Sequence, residues 1–248
     1  MKRYFIELAF NGSAYHGWQI QKNALSVQEV FNKALSTLLR QPIETTGCGR
    51  TDTGVHAKQL YVHLDVDSRV DLLRSQWKYS LNALLPRDIA VKNVIPVATD
   101  AHARFDATLR SYEYHIHIDK NPFLEGFSWL LPDVLDIELM NSAAKFLLGR
   151  QDFSCFSKSN TQTHTNNCTI LRAEWVRTRD GFVFHISADR FLRNMVRAIV
   201  GTLIGVGRKE TPPSAMLQIL ESKNRSHAGI SVPACGLYLT EVIYPYLP

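Results

Sequence analysis

Residues 169–187 read TILRAEWVRTRDGFVFHIS. Two strand-like runs, 169–178 and 182–187, flank Arg179-Asp180-Gly181, and an Asp-Gly pair between such runs marks an antiparallel hairpin. Upstream, residues 109–118 (LRSYEYHIHI) alternate. Tyr112, Tyr114, Ile116 and Ile118 fall on one face, Ser111, Glu113, His115 and His117 on the other. A helical pattern over 136–148 stops at Gly149. Downstream of the hairpin Leu192, Met195, Val196, Ile199, Val200 and Leu203 recur at helical spacing, a shorter helix is expected after Pro213, and residues 237–244 read as a last strand.

The N-terminal part has a similar make-up. Residues 4–10 predict a strand, followed by the polar turn Asn11-Gly12-Ser13 and a helix over 26–40. Ser26 and Glu29 have capping-box spacing, and Val27, Val30, Phe31, Ala34, Leu35 and Leu38 form its apolar stripe. Leu60, Val62, Leu64 and Val66 alternate as in a half-buried strand, a helix is expected over 71–85 before Pro86, and 89–97 is another strand. Strands and helices in this order argue for α+β with mainly antiparallel pairing, in two similar sheet-plus-helix halves. The division falls into an N-terminal subdomain, 1–104, and a C-terminal subdomain, 105–248. Residues 157–167 (SKSNTQTHTNN) are polar, with little to bury, and read as a mobile loop.

Length and composition set the outer limits. At 248 residues the chain has room for one large domain or two small ones, and 45% hydrophobic with 21% charged residues is enough to bury a core. The longest apolar stretch, 198–207, is short and bounded by Arg197 and Arg208, which excludes a membrane-spanning helix. Glu7 interrupts what would be the apolar part of a signal peptide, so a cytoplasmic protein is expected. Cys48, Cys155, Cys168 and Cys235 are far apart and form no zinc-type pair. A net charge of +5 suits a polyanionic partner without requiring one.

Three features carry candidate chemistry. In residues 47–56 (GCGRTDTGVH) three glycines permit tight turns around one carboxylate, Asp52. Such a residue can be a nucleophile, a general base, a metal ligand or a turn cap. Arg50 is placed to pair with it or with a phosphate. Second, Arg190, Arg193 and Arg197 recur at i, i+3 and i+7 near the expected helix. The apolar flanks of Arg197 predict partial burial and therefore an anionic partner, for which Asp52 is a candidate. Third, His102-Ala103-Arg104-Phe105, followed by Arg110, Tyr112 and Tyr114, mixes cations with aromatic rings as base-stacking, phosphate-neutralising proteins do. Burial is the default for Tyr114, and only one of the two rings need reach a cleft. His115 and His117 lack a third ligand, so no metal site is expected there.

In order, FNGSAYHGWQIQ, SVQEVFNKAL, GRTDTGVHA, HARFDATLRSYEY, FLRNMVRAIVG and GLYLTEVIYP span essentially the whole chain, and together they resemble the bacterial tRNA pseudouridine synthase A family. The resemblance implies two α+β halves sharing a mainly antiparallel sheet, homodimers, no cofactor, and isomerisation of uridine at positions 38, 39 and 40 in the tRNA anticodon stem-loop. It makes Asp52 the catalytic nucleophile, Arg197 the arginine paired with it and Tyr112 the ring that stacks on the target base. Arg50, His102, Arg104 and Arg110 would lie in the RNA cleft, and Leu237 near the uracil. Thr53 stands where the family usually has alanine, and Ser111 where a second arginine is frequent.

The chemistry is consistent from below. Making a C-glycoside from uridine requires breaking N1–C1′, turning the uracil and rejoining it through C5, with no redox agent or metal. One carboxylate can serve by attacking C1′, by adding to C6 or by taking a ribose proton, and the sequence leaves these open. A stacked uridine must first be flipped out. Two other readings compete: a non-catalytic RNA-binding protein using the same basic, aromatic cleft, and an aspartate-dependent hydrolase or nuclease. The latter is disfavoured because only one carboxylate stands out in the glycine-rich loop.

Overall fold

The computed structural model describes residues 1–158 and 165–247. Residues 159–164, most of the expected 157–167 loop, lie outside the described residues. The chain forms two compact units: Met1–Thr108 with the residues from Leu239 onward, and Leu109–Tyr238.

The first unit contains β1 (Lys2–Phe10), α1 (Val27–Leu39), β2 (Thr46–Gly47), β3 (His56–Val66), α2 (Ser75–Leu84) and β4 (Ile89–Val97). The last strand, β10 (Leu237–Ile243), enters it at Leu239 and lies beside β3, giving the order β4-β1-β3-β10 with β2 on β3. β1 pairs antiparallel with β3 and β4, setting Ile6 opposite Val62 and Phe5 opposite His63. Leu60, Val62, Leu64 and Val66 are buried as the alternation predicts, but so are Tyr61 and His63 on the other face. An aromatic layer explains the difference: the Tyr244 ring meets Phe5 at 5.1 Å and Tyr61 at 5.4 Å, both edge-on.

Helix α1 starts where its cap predicts, the Ser26 hydroxyl accepting the Glu29 N–H at 3.2 Å. Val27, Phe31, Ala34 and Leu35 are buried along its stripe. Helix α2 begins at Ser75 rather than near Asp71. The Asp71 carboxylate accepts the Leu73 N–H at 3.1 Å, and this local turn competes with helix initiation.

The second unit contains β5 (Leu109–His117), β6 (Trp129–Leu130), α3 (Ile137–Ala144), β7 (Gly149–Asp152), β8 (Asn167–Arg177), β9 (Gly181–Ala188), α4 (Met195–Gly207) and α5 (Ala215–Ser222). Its strands run β5-β9-β8-β7, all antiparallel, with β6 parallel beside β5. The Asp-Gly hairpin forms as expected, closed by Thr178 N–H to Gly181 O at 2.9 Å. Gly181 has a second duty, since a Cβ there would lie 2.3 Å from Ile116 O on β5. Asp136 caps α3, which gives way to a 3₁₀ turn at Lys145 and so ends before the expected 148. Gly149, at φ +89°, then turns the chain into β7, a strand without sequence warning.

Helix α4 starts at Met195, not near Leu192. Asn194 is left-handed, φ +67°, which interrupts helical geometry, so Arg190 and Arg193 precede the helix. The expected i, i+3, i+7 face is therefore not formed, and only Arg197 of the three lies on α4. Among the described residues no helix is long and apolar enough to cross a membrane.

Candidate functional site

In the first unit Asp52 sits on the loop between β2 and β3, half-buried, with Arg50 and Thr53 exposed. The loop folds back on itself: Val55 N–H bonds Asp52 O at 3.2 Å, with Gly54 at φ +79° inside the turn. What fixes it is the segment between β1 and α1. Gly12 and Gly17 lie so close to the loop that a Cβ on Gly12 would be 2.0 Å from Val55 O, and one on Gly17 2.2 Å from Thr51 O. Gly17 is also at φ +86°, a conformation for which glycine is suited. Gly54 N–H donates to Tyr15 O at 3.2 Å, and Gly12 N–H to His56 Nδ1 at 3.1 Å, so that nitrogen carries no proton.

Gln28 ties this clamp to the helix. Its buried amide accepts the Ile20 N–H at 3.0 Å and donates to Thr45 O at 2.6 Å, joining the 18–20 segment, α1 and the approach to β2. Backbone bonds from Val27 to Gly17 O and from Gln28 to Trp18 O reinforce it. The carboxylate is thus presented by backbone held on two sides.

The same unit carries the turn His102–Asp106. His102 is half-buried; Arg104 and Phe105 are exposed. Beneath it His63 accepts the Ala103 N–H through Nδ1 at 3.1 Å. Burial, helped by the Arg3 charge, pushes His63 down from 6.5 to about 4, against the opposing pull of Asp65 and Asp106.

In the second unit Tyr112 lies on β5 opposite Ile186, half-exposed, its ring edge-on to Phe191 at 5.1 Å. Tyr114, two residues on, is fully buried, as its strand position predicts. Arg110 donates to Asp189 O at 2.9 Å, and Ser111 accepts from Ser187 at 2.9 Å. Arg197 is half-buried in the first turn of α4, its Nε donating to Val232 O at 2.7 Å. The chain around Val232 is fixed in turn: Gly201 leaves room for Ile230 O, which a Cβ would approach to 1.9 Å. Tyr114 OH donates to Pro233 O at 2.8 Å, and Gly236 lies against the Tyr114 ring just before the buried Leu237. Burial holds the Tyr114 hydroxyl far above its ordinary range, Cys235 adds to this, and the Arg197 charge opposes it. Arg197, Tyr114 and the approach to Leu237 therefore share one corner of the second unit, with Arg110 and Tyr112 on the adjoining strand.

The sequence reading did not single out Gly17, Gln28 and His56 as supports of the aspartate loop, nor Phe191 against Tyr112. The spacing of Gly12, Gly17 and Trp18 was the available signal, but close backbone approach between distant segments leaves no local periodicity.

An antiparallel α+β chain with a carboxylate on a clamped glycine loop is matched over residues 143–245 by a family model described as tRNA pseudouridine synthase, which places it in an isomerase class. Proteins named tRNA pseudouridine synthase A from Parabacteroides distasonis and Porphyromonas gingivalis are each 48% identical, over 99% of this chain and 97% and 98% of their own lengths. The Staphylococcus aureus MRSA252 protein of that name is 38% identical over 97% of this chain and 91% of its own. The chain belongs to the tRNA pseudouridine synthase A family.

Proposed function

We propose that this protein isomerises uridine to pseudouridine at positions 38, 39 and 40 in the tRNA anticodon stem-loop, using Asp52 as nucleophile and no cofactor. The observation that carries the reading is 48% identity, over 99% of the chain, to relatives named for tRNA pseudouridine synthesis. The clamp around Asp52 supports its part, because a carboxylate that must meet one atom of a flipped nucleoside gains from backbone that does not move.

In this reading the N1–C1′ bond breaks, the uracil turns in place, C5 bonds to C1′, and the C5 proton leaves while N1 takes one up. Asp52 acts at C1′, at C6 or on a ribose proton. Arg197 is the arginine that pairs with it and orients it. Tyr112 stacks on the target base, Leu237 lies against the uracil, and Arg50, His102, Arg104 and Arg110 meet the RNA. The protein works in the cytoplasm as a homodimer; a monomeric mass at working concentration would remove that part.

The test is incubation of purified protein with unmodified tRNA transcript, followed by carbodiimide-blocked reverse transcription, with Asp52→Ala alongside. New stops in the anticodon arm that vanish in the variant are expected. Stops that persist in Asp52→Ala would refute the role of Asp52, and tRNA binding with no stops would favour a non-catalytic binder.

A further inference from the structure

Phe105 is 73% exposed, yet it stands on a turn held by hydrogen bonds on several sides. Asp106 accepts the His102 N–H at 2.7 Å and the Tyr246 hydroxyl at 2.7 Å through the same oxygen. Ala103 donates to His63 at 3.1 Å and accepts from Tyr244 at 2.5 Å. His102 Nδ1 accepts the N–H groups of Arg104 and Phe105 at 3.1 and 3.3 Å, so its imidazole is locked over its own turn with that nitrogen unprotonated. The locked ring lies against Phe105, centroids 4.2 Å apart and planes 31° from parallel. The Arg104 guanidinium carbon lies over the Phe105 ring, 5.7 Å from its centroid.

An apolar ring left in water on a yielding loop needs no explanation. One held against a fixed imidazole, with a guanidinium over it and most of its surface still in water, has the layout of a π-surface able to take another flat ring. We infer that Phe105 is a stacking platform for an unpaired nucleobase of the bound tRNA, with His102 as the positioning residue beneath it and Arg104 directed to the adjoining phosphate. The inference rests on the reading of the protein as a tRNA-modifying enzyme. It assigns His102 a brace's duty toward Phe105. The occupant we assign is RNA because a cation beside an exposed ring complements a phosphate-linked base, the pairing of charge and π-face that single-stranded nucleic acid offers.

Leucine and tryptophan separate stacking from mere apolar cover, since leucine buries apolar area without a π-face. tRNA dissociation constants are measured for wild type, Phe105→Ala, Phe105→Leu and Phe105→Trp at fixed salt, together with pseudouridine formation, molecular mass and thermal unfolding. Alanine and leucine are expected to weaken binding about 5- to 100-fold, the range a lost base stack gives. Tryptophan restores it to within about twofold, with KM following the dissociation constant and unfolding unchanged. Leucine binding like wild type, or tryptophan failing to restore affinity, overturns the inference. So does a change in molecular mass with unchanged affinity, which would make the ring a contact between copies. If wild type binds tRNA but forms no pseudouridine, the proposed function fails and the affinities still decide the stacking. If wild type does not bind tRNA, both fall.

Discussion

Replacing Gly17 with alanine tests whether the aspartate loop owes its placement to close backbone contact. The new Cβ would lie 2.2 Å from Thr51 O and 3.2 Å from the Asp52 carbonyl carbon, where ordinary contact begins at 3.4 Å. The Thr51 carbonyl must therefore retreat by about 1.2 Å, carrying the neighbouring Asp52 with it. Left-handed backbone adds about 1–2 kcal/mol for a residue with a Cβ, and forcing extra atoms into packed structure typically adds about 1–3 kcal/mol. The sum, roughly 2–5 kcal/mol, corresponds to a melting temperature lower by roughly 5–20 °C in a chain of this size. A reacting group displaced by about 1 Å costs on the order of 100-fold in rate.

Because C5 exchanges its hydrogen for C1′, tritium placed on uracil C5 is released as water. Tritium release at saturating tRNA, well below the variant's melting temperature, therefore reads the chemical step. Gly49→Ala is the internal control, lying on the same loop with nothing within 4 Å of its added Cβ and expected to match wild type. A folded Gly17→Ala protein within threefold of wild-type rate would refute the reasoning, as would equal damage from both substitutions.

Arg197→Ala should lose activity far more than tRNA affinity, because Arg197 is half-buried and bonded to Val232 O. Arg193→Ala, exposed and ahead of α4, should chiefly weaken binding; tritium release compared with filter-binding constants would expose equal losses in both measures. His63 is held neutral in the fold and titrates near 4 instead of 6.5. Between those values the unfolded chain holds a proton the folded one lacks, so this contribution to stability is full above about pH 6.5 and declines as pH falls toward about 4, at up to about 1.4 kcal/mol per pH unit. Denaturant unfolding across pH 4–7 should show a shallower slope for His63→Gln; an unchanged slope would assign the acid sensitivity to other groups.

Much of this architecture was legible because it is local. The Asp-Gly hairpin of β8 and β9, the Ser26 cap of α1 and the burial of Tyr114 and Ile116 on one face of β5 each depend on neighbouring residues, whereas His117, on the other face of that strand, is buried as well. The misplaced starts of α2 and α4 have one kind of cause: an Asx turn at Asp71 and a left-handed Asn194, backbone choices that an apolar periodicity overlooks. The burial of Tyr61 depended on Tyr244, and the return of residues beyond 238 to the first unit on bonds such as Thr108 N–H to Ile243 O at 2.9 Å. Such partners more than a hundred residues apart leave no local pattern. At the candidate site the aspartate was visible in its glycine-rich setting, whereas the residues that hold it became visible only once Gly12 and Gly17 lay against Val55 and Thr51.

The clamp has a consequence for how this region comes into being. The Asp52 loop takes its shape from residues 34–44 positions earlier in the chain, across the turn that β1 and β3 must first bring together. It therefore has little independent folding equilibrium: while those strands are unpaired the loop has no template, and once they pair its geometry is set. Variation in 47–56 is accordingly tied to variation in 11–18, and a transplanted loop would arrive without the instructions for its own conformation.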